Sequence, residues 1–287
     1  MRNRDCAGLR VSALGLGAGQ IGGELDDHEV AALLHGALDL GVTLIDTARG
    51  YGLSEERIGR HLNGRRDELV LSTKGGYGVE GVPDWTAASI TAGVEAALGR
   101  LRTDRIDIFH LHSCPIETLQ RGEVVRALED AVRAGKVRVA AYSGENDALD
   151  WAARSGVFGS LMCSVNVVDQ RALDGAVAEA ARRELGLIAK RPLANMCWRF
   201  VERPIGDYAE IYWDRFQGLP RERDWTDLAM RFAAFAPGVS SAVVGTRSLA
   251  HLRQHAAAID KGPLEAVQIA ELRDWFRTHD RGWEGQI

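Results

Sequence analysis

The stretch Val42-Thr-Leu-Ile-Asp-Thr-Ala-Arg-Gly-Tyr51 decides how this chain is read. Residues 42 to 45 are β-branched or apolar and suit a buried strand. That strand runs directly into Asp46, and Tyr51 follows past the small residues Ala48 and Gly50. An acid and a phenol therefore leave one strand end together. The next two apolar runs end alike: Glu68-Leu-Val-Leu-Ser-Thr-Lys74 closes on Lys74, and Ile106-Asp-Ile-Phe-His-Leu-His112 closes on His112. Four polar groups at successive strand ends predict one pocket.

Outward from this stretch, short β-type runs alternate with helical patterns. Leu14-Gly-Leu-Gly17 precedes a helix from about Asp26 to Leu40, with Val30, Leu33, Leu34, Ala37 and Leu38 at helical spacing and Gly41 as its stop. Further helices are expected over 55–62 and 86–101, up to Ala134, over 146–154, 171–183 and 225–235, and from Ser248. Further strands are expected at 137–142, 160–165, 185–189 and 239–244. Repeated βα units require a parallel sheet, because parallel neighbours need crossover connections. Eight such strands suit a closed (β/α)8 TIM barrel, with an open doubly wound sheet as the alternative. The irregular segment 192–224 carries Trp198, Phe200, Tyr208, Tyr212, Trp213 and Phe216. It reads either as a loop covering the active site or as an insertion packed for stability.

With 287 residues, 46% hydrophobic and 26% charged, the chain can form one large domain over 1–287 and is not disordered in composition. A net charge of −5 exerts no overall pull on nucleic acid or an anionic membrane, so neither is an expected partner. Cys6, Cys114, Cys163 and Cys197 are too scattered for a disulfide framework or a zinc knuckle. The N-terminal residues lack the apolar run of a signal peptide, and no run approaches the ~18 apolar residues of a membrane span. A cytoplasmic location is expected. No pattern specifies an oligomeric state.

Gly17-Ala-Gly-Gln-Ile-Gly22 fits the dinucleotide fingerprint G-x-G-x-x-G after an apolar run and before a helix. Glu24, Asp26 and Asp27 argue against it, since they place carboxylates where a pyrophosphate wants backbone N–H groups and a helix dipole. The glycines are better read as a turn that lets backbone approach a ligand closely.

The chemistry follows from the residue types. A tyrosine, with an ordinary pKa of about 10, is a poor proton donor at neutral pH, and a neighbouring ammonium favours its phenolate. Lys74 can supply that ammonium, Asp46 can keep Lys74 charged and oriented, and His112 can donate a hydrogen bond to a substrate oxygen. Such a set polarises a carbonyl, delivering a proton to oxygen while hydride reaches carbon. The hydride must come from a cofactor, since no side chain carries one. Each residue alone has a plainer reading as a cap, a solvated charge or a satisfied partial-core group; four in complementary types at consecutive strand ends outweigh it. His110, His112 and Cys114 alternate on one strand and raise a zinc site as a rival, but the other histidines fall on helices, helix ends or the tail, so no metal is expected.

In this order the four residues resemble the aldo-keto reductase superfamily. The resemblance extends through Val11-Ser-Ala-Leu-Gly-Leu-Gly17, Asp46-Thr-Ala-Arg-Gly-Tyr-Gly52, Ser54-Glu55, Ile58-Gly59, Ser72-Thr-Lys74, Asp107-Ile-Phe-His-Leu-His112, Gly135-Lys-Val-Arg138 and Val243-Val-Gly-Thr246. It implies a (β/α)8 barrel capped by an N-terminal β-hairpin, binding NADPH and acting on a small-molecule carbonyl substrate. By position, Asp46, Tyr51, Lys74 and His112 are the catalytic candidates, with Tyr51 as general acid. Ser143 falls where the family holds the nicotinamide carboxamide. Gly245, Thr246, Arg247, Arg253 and His255 fall on the segment that binds the adenosine 2′-phosphate end, and Lys190 is a further cofactor candidate. The chain departs from the family in Gly144, Met162 and Lys190, at positions near the nicotinamide. Two alternatives stay open: an NADPH-binding regulatory subunit with little turnover, and a metal-dependent barrel hydrolase using His110 and His112.

Overall fold

A computed structural model describes all residues, 1–287. The chain begins with a hairpin, β1 (Asn3–Cys6) and β2 (Leu9–Ser12), joined through Ala7 and Gly8, both at positive φ. Two consecutive left-handed residues give a turn whose twist matches that of the flanking strands. Eight parallel strands follow: β3 (Leu14–Gly17), β4 (Leu44–Asp46), β5 (Val70–Gly75), β6 (Ile106–His112), β7 (Val137–Ser143), β8 (Ser160–Ser164), β9 (Gly186–Lys190) and β10 (Ser241–Gly245). β10 pairs back to β3, so the sheet closes into a barrel and the open-sheet alternative is excluded.

The helices of the outer layer are α1 (Asp27–Asp39), α2 (Ser54–Leu62), α3 (Ala87–Leu101), α4 (Ile116–Arg121), α5 (Glu123–Arg133), α6 (Asn146–Ser155), α7 (Arg171–Asp174), α8 (Ala176–Arg182), α9 (Glu210–Phe216), α10 (Trp225–Ala234), α11 (Leu249–Asp260) and α12 (Ala266–His279). Local chemistry sets several boundaries. Asp26 caps α1 in a reciprocal box with Glu29, its side chain accepting from the Glu29 amide at 2.8 Å. The helix expected to end near Ala134 is two helices, because Gly122 at φ +75° leaves the helical region. The helix expected over 171–183 is likewise divided, at Gly175.

Two apolar layers hold the barrel. Inside, Leu44, Val70, Ile108, Val139, Ile188 and Val243 meet Cys6, Leu9 and Val11, so the hairpin closes the N-terminal end of the barrel. Outside, alternate strand residues such as Ile45, Leu71, Phe109 and Leu111 face the helices in a much larger cluster. This period-2 division determines the site. From Leu44, Val70 and Ile108 inside, two-residue steps carry Asp46, Ser72, Lys74, His110 and His112 along the same inward face. No helix is long and apolar enough to cross a membrane.

The aromatic segment 192–224 is largely packing. Tyr212 and Phe216 on α9 are fully buried, and Phe216 meets Trp225 edge-on at 4.9 Å with Trp198 beside both. Of its six aromatic residues, Tyr208 alone lines the cavity at the C-terminal ends of the barrel strands. The covering-loop expectation therefore holds for one ring, and the other five serve mainly the fold.

Candidate active site

The cavity at the C-terminal ends of the strands has a volume of about 920 Å³, and Asp46, Tyr51, Lys74 and His112 all line it. A hydrogen-bonded chain climbs the inward face toward its floor. His110 Nε2 lies 3.1 Å from Ser72 Oγ, which donates to Asp46 Oδ1 at 2.8 Å; Lys74 Nζ donates to Asp46 Oδ2 at 2.6 Å and to the Thr47 carbonyl at 2.8 Å. Register explains the order, because Asp46 pairs with Ser72 and Lys74 with His110 across adjacent strands.

Burial lowers the proton affinity of the Lys74 ammonium, but Asp46 and Tyr51 more than offset this, so its pKa lies above the ordinary lysine value. The ammonium faces the Tyr51 ring, 5.3 Å from its centroid. Tyr51 meets His112 edge-on at 6.1 Å. Burial first, then the positive charges of Lys74, Lys190 and Arg191, lower the His112 pKa to about 3. His112 is therefore neutral across the physiological range and has one N–H to give.

The loop after β4 fits closely around this group. The carbonyl of Gly22 accepts from the Leu53 amide at 3.1 Å, and a Cβ at Gly22 would lie only 1.8 Å from the Tyr51 carbonyl oxygen. Gly22 thus serves close packing against the Tyr51 loop. Gly17 and Gly19 line the cavity, in keeping with backbone exposed to a ligand, while the barrel topology replaces the dinucleotide-fold reading.

The structure divides the cofactor candidates. Ser143, Lys190 and Gly245 line the cavity, whereas Thr246, Arg247, Arg253 and His255 lie outside its lining, at and beyond the end of β10. Lys190 is not a free charge: Nζ lies 3.1 Å from Glu145 Oε1, and burial pulls its pKa below the ordinary lysine value despite that partner. Thr246 is buried and accepts from the Ser248 amide at 3.0 Å. Arg247 and Arg253 are exposed, with Arg247 3.4 Å from Glu24. His255 is 5% exposed, its Nδ1 has no partner, and burial lowers its pKa to about 4. His110 is sealed inside on Ser72, and no cluster of three or more His, Cys, Asp or Glu side chains is placed to hold a metal ion.

Several lining residues escaped the sequence reading. Tyr77 and Trp85 come from the loop after β5, Ser113 from beyond β6, and Ile287 from the C-terminal segment. That segment is tied across the barrel mouth: Asn146 Oδ1 accepts from the Gly285 amide at 2.8 Å, Gln286 Nε2 donates to the Tyr208 carbonyl at 3.1 Å, and Arg191 donates to the Gln286 carbonyl. Only the Gly-Gly before Tyr77 hinted at a shaped loop; the rest are long-range contacts without a local pattern.

Comparison with known proteins agrees with this fold. The sequence model of the Aldo/keto reductase family matches residues 13–201. The structure of aldo-keto reductase AKR11C1 from Bacillus halodurans in its holo form superposes with a TM-score of 0.82 at 25% identity, covering 96% of each chain. The uncharacterized oxidoreductase YqkF of Bacillus subtilis is 25% identical over 97% of this chain and 98% of its own length. D-threo-aldose 1-dehydrogenase from a Pseudomonas species is 29% identical over 93% of this chain and 95% of its own. With the hairpin-capped barrel, the polar groups at its strand ends and a family match across most of the strands, this chain belongs to the aldo/keto reductase family of oxidoreductases.

Proposed function

We propose that the protein is an NADPH-dependent reductase of aldehydes or ketones, with Tyr51 as the general acid. The observation that carries this reading is the convergence of Asp46, Lys74, Tyr51 and His112 on one cavity, linked by the 2.6 Å Lys74–Asp46 contact. Tyr51 gives its proton to the substrate oxygen as that oxygen becomes an alkoxide. The Lys74 ammonium stabilises the negative charge then left on the phenol oxygen, and Asp46 holds Lys74 protonated. Neutral His112 donates its one N–H to the same substrate oxygen and sets the orientation of the carbonyl.

The chain offers a fitting cradle for the cofactor. The glycine edge Gly17, Gly19 and Gly245 leaves backbone open along the cavity, and a Cβ at Gly17 would press to 3.1 Å from Val243. Ser143 would hold the carboxamide, Lys190 and Arg191 line the same cavity, and exposed Arg247 and Arg253 at the start of α11 suit a phosphate dianion. When bound, the nicotinamide supplies the hydride. One relative is named D-threo-aldose 1-dehydrogenase, so sugar-type polyhydroxy aldehydes belong in the substrate panel, and oxidation of the alcohol should be assayed beside reduction.

The test is fluorescence titration with NADPH and NADH, repeated on Arg247→Ala and Arg253→Ala, followed by steady-state aldehyde reduction by wild type and Tyr51→Phe. Preferential NADPH binding weakened by either arginine change is expected, with Tyr51→Phe lowering kcat by ~100-fold or more while cofactor still binds. Unchanged turnover in Tyr51→Phe removes the general-acid role. Absence of any nicotinamide binding removes the whole reading.

A further inference from the structure

We infer that Tyr77 is a positioning residue that holds His112 in the tautomer carrying its proton on Nε2; the role rests on the reductase reading above. A neutral imidazole has one N–H and one acceptor nitrogen, and only the right tautomer can donate to a substrate oxygen. In the other tautomer the same ring would present a lone pair to that oxygen and repel it.

The geometry assigns the two nitrogens. Tyr77 OH lies 2.8 Å from His112 Nδ1, and this is the one hydrogen bond that the His112 ring makes within the protein. A phenol is a better donor than an imidazole N–H, and an imidazole nitrogen is a better acceptor than a phenol oxygen. The bond is therefore stronger with Tyr77 donating to Nδ1, which leaves the proton on Nε2. Burial and the neighbouring Tyr51 raise the Tyr77 pKa, so it remains a phenol and keeps the proton it donates. The rings also stack, with centroids 5.6 Å apart and planes 28° from parallel, which restrains the imidazole plane as well as its proton.

The loop that carries Tyr77 is shaped for this contact. Gly76 sits at φ +125°, and a Cβ there would come 2.1 Å from the Trp85 ring. Trp85 donates its amide to the Gly76 carbonyl at 2.7 Å, and Asp84 accepts from the Gly78 amide at 2.9 Å, closing the loop on itself. The Trp85 ring lies 5.8 Å from that of Tyr77. On the opposite side, a Cβ at Gly50 would lie 3.3 Å from the Tyr77 hydroxyl, so the glycine just before Tyr51 gives that hydroxyl its room.

The test uses the full chain labelled with ¹⁵N at histidine, reading the tautomer from long-range ¹H–¹⁵N correlations and assigning His112 by its loss in His112→Asn. The wild type is expected to show a protonated Nε2 and a hydrogen-bonded, unprotonated Nδ1. Tyr77→Phe, with an unchanged melting curve, is expected to move His112 toward a tautomer mixture. It should lower kcat for aldehyde reduction roughly fivefold to tenfold, the equivalent of one ordinary hydrogen bond, without altering NADPH binding. A wild-type His112 protonated on Nδ1, or a Tyr77→Phe spectrum identical to wild type, overturns the inference. If the wild type shows the Nε2–H signature, Tyr77→Phe loses it and no carbonyl is reduced by either, the tautomer assignment stands and the reductase reading falls.

Discussion

Replacing Lys74 by Met isolates the ion pair on which the site is built. Its side chain is 2% exposed and that of Asp46 6%, so solvent cannot take over the lost contact. The change leaves Asp46 with Ser72 as its remaining donor and the Thr47 carbonyl without Lys74. Removing one partner of a buried pair costs ~3–5 kcal/mol, mostly because the other charge stays buried and uncompensated. For 287 residues, an unfolding entropy of ~2.1 cal/mol/K per residue amounts to roughly 0.6 kcal/mol/K, so Tm should fall by ~5–8 °C. The assay is thermal unfolding at pH 7 of wild type, Lys74→Met and Lys74→Met/Asp46→Asn. The double variant removes the stranded charge and should recover a substantial part of the loss, while aldehyde reduction stays lost in both. A single variant within ~1 °C of wild type, or a double variant no more stable than the single, would refute the view that the pair is a buried, mutually dependent unit.

Acid should destabilise the fold through buried histidines. Burial lowers the pKa of His255 to about 4 and that of His112 to about 3, from an ordinary value of 6.5, so the unfolded chain takes up protons first. Their stabilisation is full above pH 6.5 and is lost as pH falls through that window. His255 alone contributes at most ~3 kcal/mol. Asp169, raised to about 7 by burial and Glu145, acts with the opposite sign between pH 4 and 7 and offsets part of the slope. Melting curves from pH 7 to 4.5 should therefore show falling Tm, less steeply in His255→Gln; an equally steep fall in that variant counts against the account. All four cysteines are buried and unpaired, and burial raises the thiol pKa of Cys114 and Cys197 to about 12. Native protein should thus resist an aromatic disulfide reagent that titrates four thiols in denaturant, and rapid native labelling would contradict the burial. Gly76→Ala forces a side chain into a left-handed backbone and against Trp85, so it should cost ~1–2 kcal/mol by denaturant titration and displace Tyr77; neutral stability would contradict the tight loop.

The parts of the site that were legible in the sequence share one property: each depends on a short local pattern. Residues 44–46, 70–74 and 108–112 alternate inward and outward with period 2, so a strand ending on Asp46, Lys74 or His112 already gives the direction of its last side chain relative to the apolar residues just before it. The helix stop at Gly41 was equally local, since that glycine adopts positive φ. Breaks at Gly122 and Gly175 were missed because apolar spacing continues across them. The segment around Trp198 and Phe216 was ambiguous for a related reason: aromatic content is the same in a lid and in a core.

By itself, then, the sequence determined the βα alternation, the faces of the strands and the chemical set Asp46, Tyr51, Lys74 and His112, because backbone periodicity and residue type are properties of a few neighbouring positions. Closure of β10 onto β3 came only with the tertiary structure, as did the 2.8 Å contact of Tyr77 with His112, the pairing of Lys190 with Glu145 and the burial of His255. Each of these joins groups on separate elements. Their distances and electrostatics are set by how the whole barrel packs, which no local pattern encodes.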